Sequence, residues 1–441
     1  MNYDLFSVEG LSREEIEKIA FESGFRKRRS GKIEPPDFLI HFCLQSLEGT
    51  VSYNDIAARV EAKAGINVSR QAFHQRMNDR CVKFFEKILE IVIASKYCSE
   101  NITELIASNK FLRIIVQDST VVRLPLRLFD IFSGVKNAHS AVCNARIQAI
   151  YDLISKKFIA FSIDPYSKND LSVARDISVK SGDLVVRDRG YFTVESTKEL
   201  KENGADAIFR YKHKTKFFDI ESGEEISLLK LLSEYGSIDM MVLMGNEKCK
   251  ARILAKPVNE EVANLRRMKA KKESNSKNPS KELLALMSWT IFITTIESSD
   301  FTFEMIFKLY ALRWRIENIF KTWKSNFNFD KIHNVSKNQL RVLFTARLIM
   351  IVFIYQRLFN PLSIEIKKAG KRLSLMKFTL YIRNNIEVIH KILNVHNIDE
   401  KTIKALIRFC TYDHRKRENF ESQIERILLE TTELAVGQML A

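Results

Sequence analysis

A chain of 441 residues carrying 70 Lys and Arg against 54 Asp and Glu, formally +16, is too long for one typical core and predicts two to four domains. A charge of that size on a folded chain points to a polyanion such as nucleic acid. A membrane partner is set aside, because no lipidation motif or basic anchor stands out and the longest apolar run, residues 348–355, is far short of a span.

MNYDLFSVEG at the start lacks the regions of a signal peptide. Cys43, Cys81, Cys98, Cys143, Cys249 and Cys410 form no CxxC pair, which argues against zinc or a disulfide frame and for a reducing cytoplasm. Residues 1 to about 105 read as helical. Within them SYNDIAARVEAKAGINVSRQAFHQRM predicts two short helices around a Gly-containing turn, with Ser52 and Ser69 as N-caps. The second would begin near Arg70 and present Arg70, Gln71, His74 and Gln75, which suit phosphate and base-edge contacts. A helix-turn-helix and a plain helical hairpin are both open here. Upstream, RKRRSGK (residues 26–32) is a basic loop able to follow a DNA backbone or simply flexible.

From Phe111 the period changes. FLRIIVQDST is a β-branched run ending in a polar patch. ARIQAIYDL and KFIAFSID follow, joined by a tight turn at Ser155 and Lys156. A helix over residues 171–180 then leads to a buried strand, DLVVRD. Strand, strand, strand, helix, strand is the early half of a ribonuclease-H-like α/β fold, which still needs a fifth strand and a long helix. Residues 205–287, with AIFRYKHKTKFF, MMVLMG and CKARILAKPV, read first as a separate β-rich insertion. Its basic tail, residues 265–281, reads as a mobile loop. SWTIFITTI then supplies the fifth strand and residues 303–324 the helix. The expected division is a helical N-terminal DNA-binding region (1–105), the core's first half (106–204), the insertion (205–287), the core's second half (288–330) and a helical C-terminal region (331–441).

At about 100° per residue, LYALRWRIENIFKTWK (residues 309–324) gathers Tyr310, Arg313, Glu317 and Lys324 on one face and Leu309, Leu312, Ile316, Ile319 and Trp323 on the other. A carboxylate between cations suits a site that holds a metal ion and a phosphate chain. An ordinary solvated charged face is the commoner explanation. The fold ranks the acids: Asp118 at the end of the first strand, Asp188 at the end of the fourth, and Glu317 on the helix crossing them. Magnesium takes oxygen ligands, typically one or two carboxylates plus phosphates. Two such ions roughly 4 Å apart can activate water and stabilise a leaving oxygen. An Asp at a strand end is more often a turn former, the role read for Asp152, Asp164, Asp170 and Asp183. Convergence of three acids carries the weight.

The pattern Tyr310, Arg313, Glu317, Lys324, with QDST around Asp118 and DRGYF around Asp188, resembles the DDE transposases of the fourth insertion-sequence family over roughly residues 110–330. The resemblance implies two Mg²⁺ ions, with Mn²⁺ as a substitute, on Asp118, Asp188 and Glu317. It implies a nick at the element's end, attack of the freed 3′-hydroxyl on the opposite strand to make a hairpin, reopening, and strand transfer into target DNA, with no Ser or Tyr nucleophile. Tyr310, Arg313 and Lys324 would grip phosphates near the cleaved end. Trp289 would stack a flipped base, the alternative being a packed strand residue; Trp314 and Trp323 read as packing residues. The resemblance also implies a homodimer that pairs two terminal inverted repeats and cleaves in trans, using residues from about 335, in a nucleoid-associated cytoplasmic protein. RYKHKTK, with Arg210, Lys212 and Lys214, is a candidate for backbone contact or a solvated strand edge. Two alternatives remain: a ribonuclease-H-type nuclease without strand transfer, and a non-catalytic transposase-derived DNA-binding protein.

Overall fold

The computed structural model describes residues 11–27, 32–49, 52–95, 110–134, 142–168, 179–273, 278–297, 301–393, 398–412 and 422–430. Residues 28–31 of the basic RKRRSGK run and residues 171–178 of the expected helix lie outside them.

The apolar, β-branched runs build one mixed sheet. Its strands are β1 (Arg113–Arg123), β2 (Asn144–Asp152), β3 (Lys157–Pro165), β4 (Asp183–Arg187), β5 (Asp206–Arg210), β6 (Phe217–Phe218), β7 (Glu225–Ile226), β8 (Ile238–Met244), β9 (Cys249–Pro257) and β10 (Trp289–Thr294), in the order β3-β2-β1-β4-β5-β10-β9-β8-β6-β7. β1, β2 and β3 form an antiparallel meander, and β4 and β5 join β1 in parallel. This arrangement, with helices packed on the sheet, is consistent with the expected ribonuclease-H-like fold.

One expectation is corrected. SWTIFITTI is not the fifth strand: it is β10, antiparallel to both β5 and β9. The fifth strand is Asp206–Arg210, inside the block read as an insertion. Helix Val194–Glu202, started by a capping box of Thr193 and Ser196, carries the chain from β4 back over the sheet, so the next strand returns parallel. The insertion's strands therefore extend the core sheet rather than building a separate body. Its basic tail is also corrected: residues 260–273 form helix Glu260–Glu273. Helix formers fill it, with Glu260 and Glu261 in its first turn and Lys271 and Lys272 in its last, each matching the helix dipole.

The N-terminal helices are α1 (Arg13–Glu22), α2 (Pro35–Ser46), α3 (Tyr53–Ala64), α4 (Arg70–Arg76) and α5 (Asp79–Ala94). The Ser52 hydroxyl accepts from Asp55 N and that of Ser69 from Ala72 N, and Gly65 ends α3 at φ 68°. Phe73 is buried while Arg70, Gln71, His74 and Gln75 are exposed.

Of these helices, α2 and α5 pack along the core helix Lys337–Val352, while α1 and α3 lean on their N-terminal neighbours. A π-helical turn (Phe353–Phe359) links that helix to Asn360–Lys368, ahead of Pro361, which lacks an N–H and crowds the preceding turn. The whole stretch Lys337–Lys368 is long and apolar enough to cross a membrane, but 94% of its most apolar window is buried inside the protein. Arg347 lies within it, fully buried. Its guanidinium donates to the carbonyls of Ser46, Gly49, Phe329 and Lys331, tying the end of α2 to the segment after residue 326.

Candidate active site

Parallel pairing of β1 with β4 ends at Gln117 and Arg187, so Asp118 and Asp188 are the next residue on each of two adjacent strands. β1 does not stop at Asp118 as expected; it continues to Arg123 against β2. Asp188 does leave its strand, preceding a single 3₁₀ turn, Arg189–Tyr191.

The third acid comes from the helical segment, which is not one α-helix. Helices Phe303–Ala311 and Trp314–Asn326 meet at Leu312 and Arg313. Across the junction the bonds tighten to i→i+3: Leu312 N to Leu309 O, Arg313 N to Tyr310 O, Arg315 N to Leu312 O and Ile316 N to Arg313 O, at 2.9–3.2 Å. A 3₁₀ turn nearly eclipses residues three apart. Arg313 accordingly lies over the Tyr310 ring, 5.8 Å from its centroid. The opposite stripe of Leu309, Leu312, Ile316, Ile319 and Trp323 is buried as expected. Trp314 is corrected: it is 50% exposed, with Lys321 Nζ 5.5 Å from its ring, because at about 100° per residue it falls beside the charged face, nearly opposite the apolar stripe.

Two of the acids meet on one guanidinium. Arg313 Nη1 donates to Asp118 Oδ2 at 2.9 Å and Nη2 to Glu317 Oε1 at 2.5 Å. The Tyr310 hydroxyl donates to Asp188 Oδ1 at 3.4 Å, its ring packed on Phe292 of β10 at 4.4 Å. Burial works against the Arg313 charge, but Tyr310, Asp118 and Glu317 outweigh it and hold the group above its ordinary range. Asp118 is pushed up to about 6, first by burial and then by Glu317 and Asp188, against the opposing pull of Arg313 and the Ser119 N–H. Among the described residues no three His, Cys, Asp or Glu are grouped closely enough to hold a metal ion; Arg313 stands between two of the acids.

The raised Asp118 has a consequence for stability. Its folded-state affinity for a proton exceeds that of an ordinary carboxyl, so the protonated form stabilises the fold fully below about pH 3.8, and that stabilisation is lost as pH rises through about 6. In metal-free buffer, Asp118→Asn should melt higher than the parent above pH 6, by an effect on the order of 2 kcal/mol. The gap should close towards pH 4. Equal melting across the range would rule out a desolvated carboxyl here.

The other expected residues are spread more widely. Lys324 Nζ donates to Val121 O at 3.0 Å, on the same strand as Asp118. Trp289 opens β10, half-buried, its Nε1 donating to Gly236 O at 2.7 Å. Its neighbours around a small cavity include Arg189, Arg210, Tyr211, His213 and Arg266. Burial and the neighbouring Arg210 lower Arg266 from its ordinary range. Of these, Tyr211 and His213 belong to the RYKHKTK run, whereas Arg189 and Arg266 carried no site expectation from the sequence, although Arg189 directly follows Asp188. Arg210 ends β5, whereas Lys212 and Lys214 are exposed on the turn that follows. RYKHKTK is therefore mostly turn and not a strand edge. Arg70 and Gln71 lie on α4, in the N-terminal helices.

Residues 109–353 match the family described as Transposase DDE domain. The chain is 25% identical over 434 residues to the transposase for insertion sequence element IS231B of Bacillus thuringiensis subsp. berliner, covering 92% of this chain and 90% of that protein. It is 24% identical to the transposase for IS231F of B. thuringiensis subsp. israelensis, covering 94% and 93%. It is 26% identical to the transposase for IS1151 of Clostridium perfringens, covering 84% and 83%.

Proposed function

The chain belongs to the DDE-domain transposases, and from that premise we propose that it excises and inserts an insertion sequence by metal-dependent cleavage and strand transfer at the element's terminal inverted repeats. The pairing of Asp118 and Glu317 on Arg313, with Asp188 held beside them by Tyr310, carries the reading. A solvated charged helix face would have no reason to gather acids from β1 and β4.

The donor chemistry fits a hard divalent cation. The candidate ligands are all carboxylate oxygens, and burial, with Glu317 and Asp188 adding to it, makes Asp118 hold its proton more tightly than usual. Mg²⁺, or Mn²⁺ in its place, held by Asp118, Asp188 and Glu317 would supply Lewis acidity for water activation and charge neutralisation at phosphorus. The chain's own groups do the rest. Arg313 has to release Asp118 and Glu317 for these carboxylates to close on a cation, and a scissile phosphate is a suitable acceptor for its fork. Tyr310 steadies Asp188, Lys324 adds charge beside β1, and Trp289 with Arg210 forms a stacking and phosphate-holding wall for an extruded base at a hairpin end. Arg70 and Gln71 on α4 face the repeat, Lys212 and Lys214 the backbone. Two copies pair two ends through the C-terminal helices.

The decisive assay is incubation of the full chain with Mg²⁺ and a duplex ending in the element's own terminal repeat. Nicking followed by a hairpin and transfer is the expected result. Nicking alone would reduce the assignment to a nuclease, and binding without cleavage to a DNA-binding protein.

A further inference from the structure

A second basic site lies far along the chain from the acids. Between the turn after α1, the start of α2 and the junction of α4 with α5 is a cavity of about 410 Å³. Phe25, Ile33 and Pro35 give it an apolar wall, and Arg26, Lys27, Arg76 and Arg80 give it charge. The wall is firm: Phe25 stacks on Phe84 at 4.7 Å and packs on Phe38 at 5.1 Å.

Its cations are not equivalent. Arg26 is committed, pairing with Glu34 and lying 3.8 Å from Glu17. Lys27, Arg76 and Arg80 make no ion pair among the described residues. Arg76 lies over the Phe38 ring, 5.8 Å from its centroid. Its Nη1 is buried and has no hydrogen-bond acceptor among the described residues. Burial holds this guanidinium below its ordinary range. A desolvated cationic N–H without an acceptor is costly, and a bound anion would remove that cost. The α5 helix of 16 residues begins beside it, adding the positive end of its dipole. Gln75 lines the cavity and also belongs to the exposed face of α4, so a duplex lying on that face would run its backbone over the opening.

We propose that this cavity seats a phosphodiester of the DNA backbone, with Arg76 at its floor and Lys27 and Arg80 at its mouth, and so fixes the register of α4 on the duplex. The proposal rests on the reading of α4 as the DNA-facing helix.

The test uses the full chain and a fluorescein-labelled duplex, titrated at several salt concentrations. Arg76→Met keeps the apolar stem over Phe38 and removes the charge. It should weaken binding roughly tenfold while leaving the melting temperature unchanged or raised, since a buried unpaired cation is lost. A purely structural arginine would instead lower the melting temperature and spare affinity, which would overturn the proposal. Lys27→Ala with Arg80→Ala should flatten the salt dependence of log K by about 2, equally for all sequences. If that slope is unchanged while Arg70→Ala with Gln71→Ala weakens binding, the cavity fails and the α4 reading survives. If neither pair matters, both fail. Inorganic phosphate raising the melting temperature of the parent but not of Arg76→Met, with duplex affinity unaltered in that variant, would make the cavity a free-anion site and overturn the DNA assignment.

Discussion

Glu317→Gln should lower Mg²⁺-dependent strand cleavage on the order of 10³-fold, with duplex affinity and melting temperature close to those of the parent. The substitution is nearly isosteric and removes one negative charge from a site that has to gather several oxygens around a cation. The fold should tolerate it for a specific reason. Glu317 keeps 29% of its side-chain exposure and its structural partner is Arg313. An amide oxygen can still accept from Arg313 Nη2, while Nη1 remains on Asp118. A gel assay of nicked product beside an anisotropy titration separates chemistry from binding. Retained cleavage in Glu317→Gln would remove this residue from the catalytic set.

That selectivity depends on geometry only partly legible in the sequence. The apolar stripe from Leu309 to Trp323 was readable because burial follows helical spacing even through a distorted turn. The caps Ser52 and Ser69 were readable because N-capping is local chemistry. The approach of Asp118 to Asp188 was readable because parallel neighbours bring equivalent ends together. Trp314 was misread although the same wheel, at about 100° per residue, puts it beside the charged face; the size of an indole was taken for burial. The fifth strand was misplaced because AIFR runs straight into RYKHKTK, and the basic run disguised a core strand as the start of an insertion. Helix Glu260–Glu273 was hidden by its charge, since a polar Lys-rich run reads as a loop unless its charges are seen to match the helix dipole. The Arg313–Glu317 half of the fork follows from i,i+4 spacing, but nothing in the chain announced that Arg313 would also reach Asp118, because a bond between side chains so far apart in sequence is a tertiary event.

Arg347→Met should cost on the order of 4 kcal/mol or more of folding stability, a large part of the roughly 5–15 kcal/mol that holds a typical domain. Methionine can fill the space of the arginine stem, so packing is not the main loss. What goes is the donor set for four carbonyls, two from the end of the N-terminal helix α2 (Ser46 and Gly49) and two just beyond helix Trp314–Asn326 (Phe329 and Lys331). Water cannot replace those donors at a fully buried position. Arg347→Lys should recover only part of the loss, because one ammonium cannot reproduce a planar fork spread over several carbonyls. Urea unfolding followed by tryptophan fluorescence suits the measurement, since buried Trp323 packs on Phe329 at 5.3 Å. A midpoint for Arg347→Met equal to the parent's would show that the four carbonyls find other donors. The ordering parent, lysine, methionine is the signature of a cation that joins the N-terminal helices to the end of the helix bearing Glu317. A lysine variant that melts lower and also cleaves more slowly would extend that role from holding the fold to holding the site.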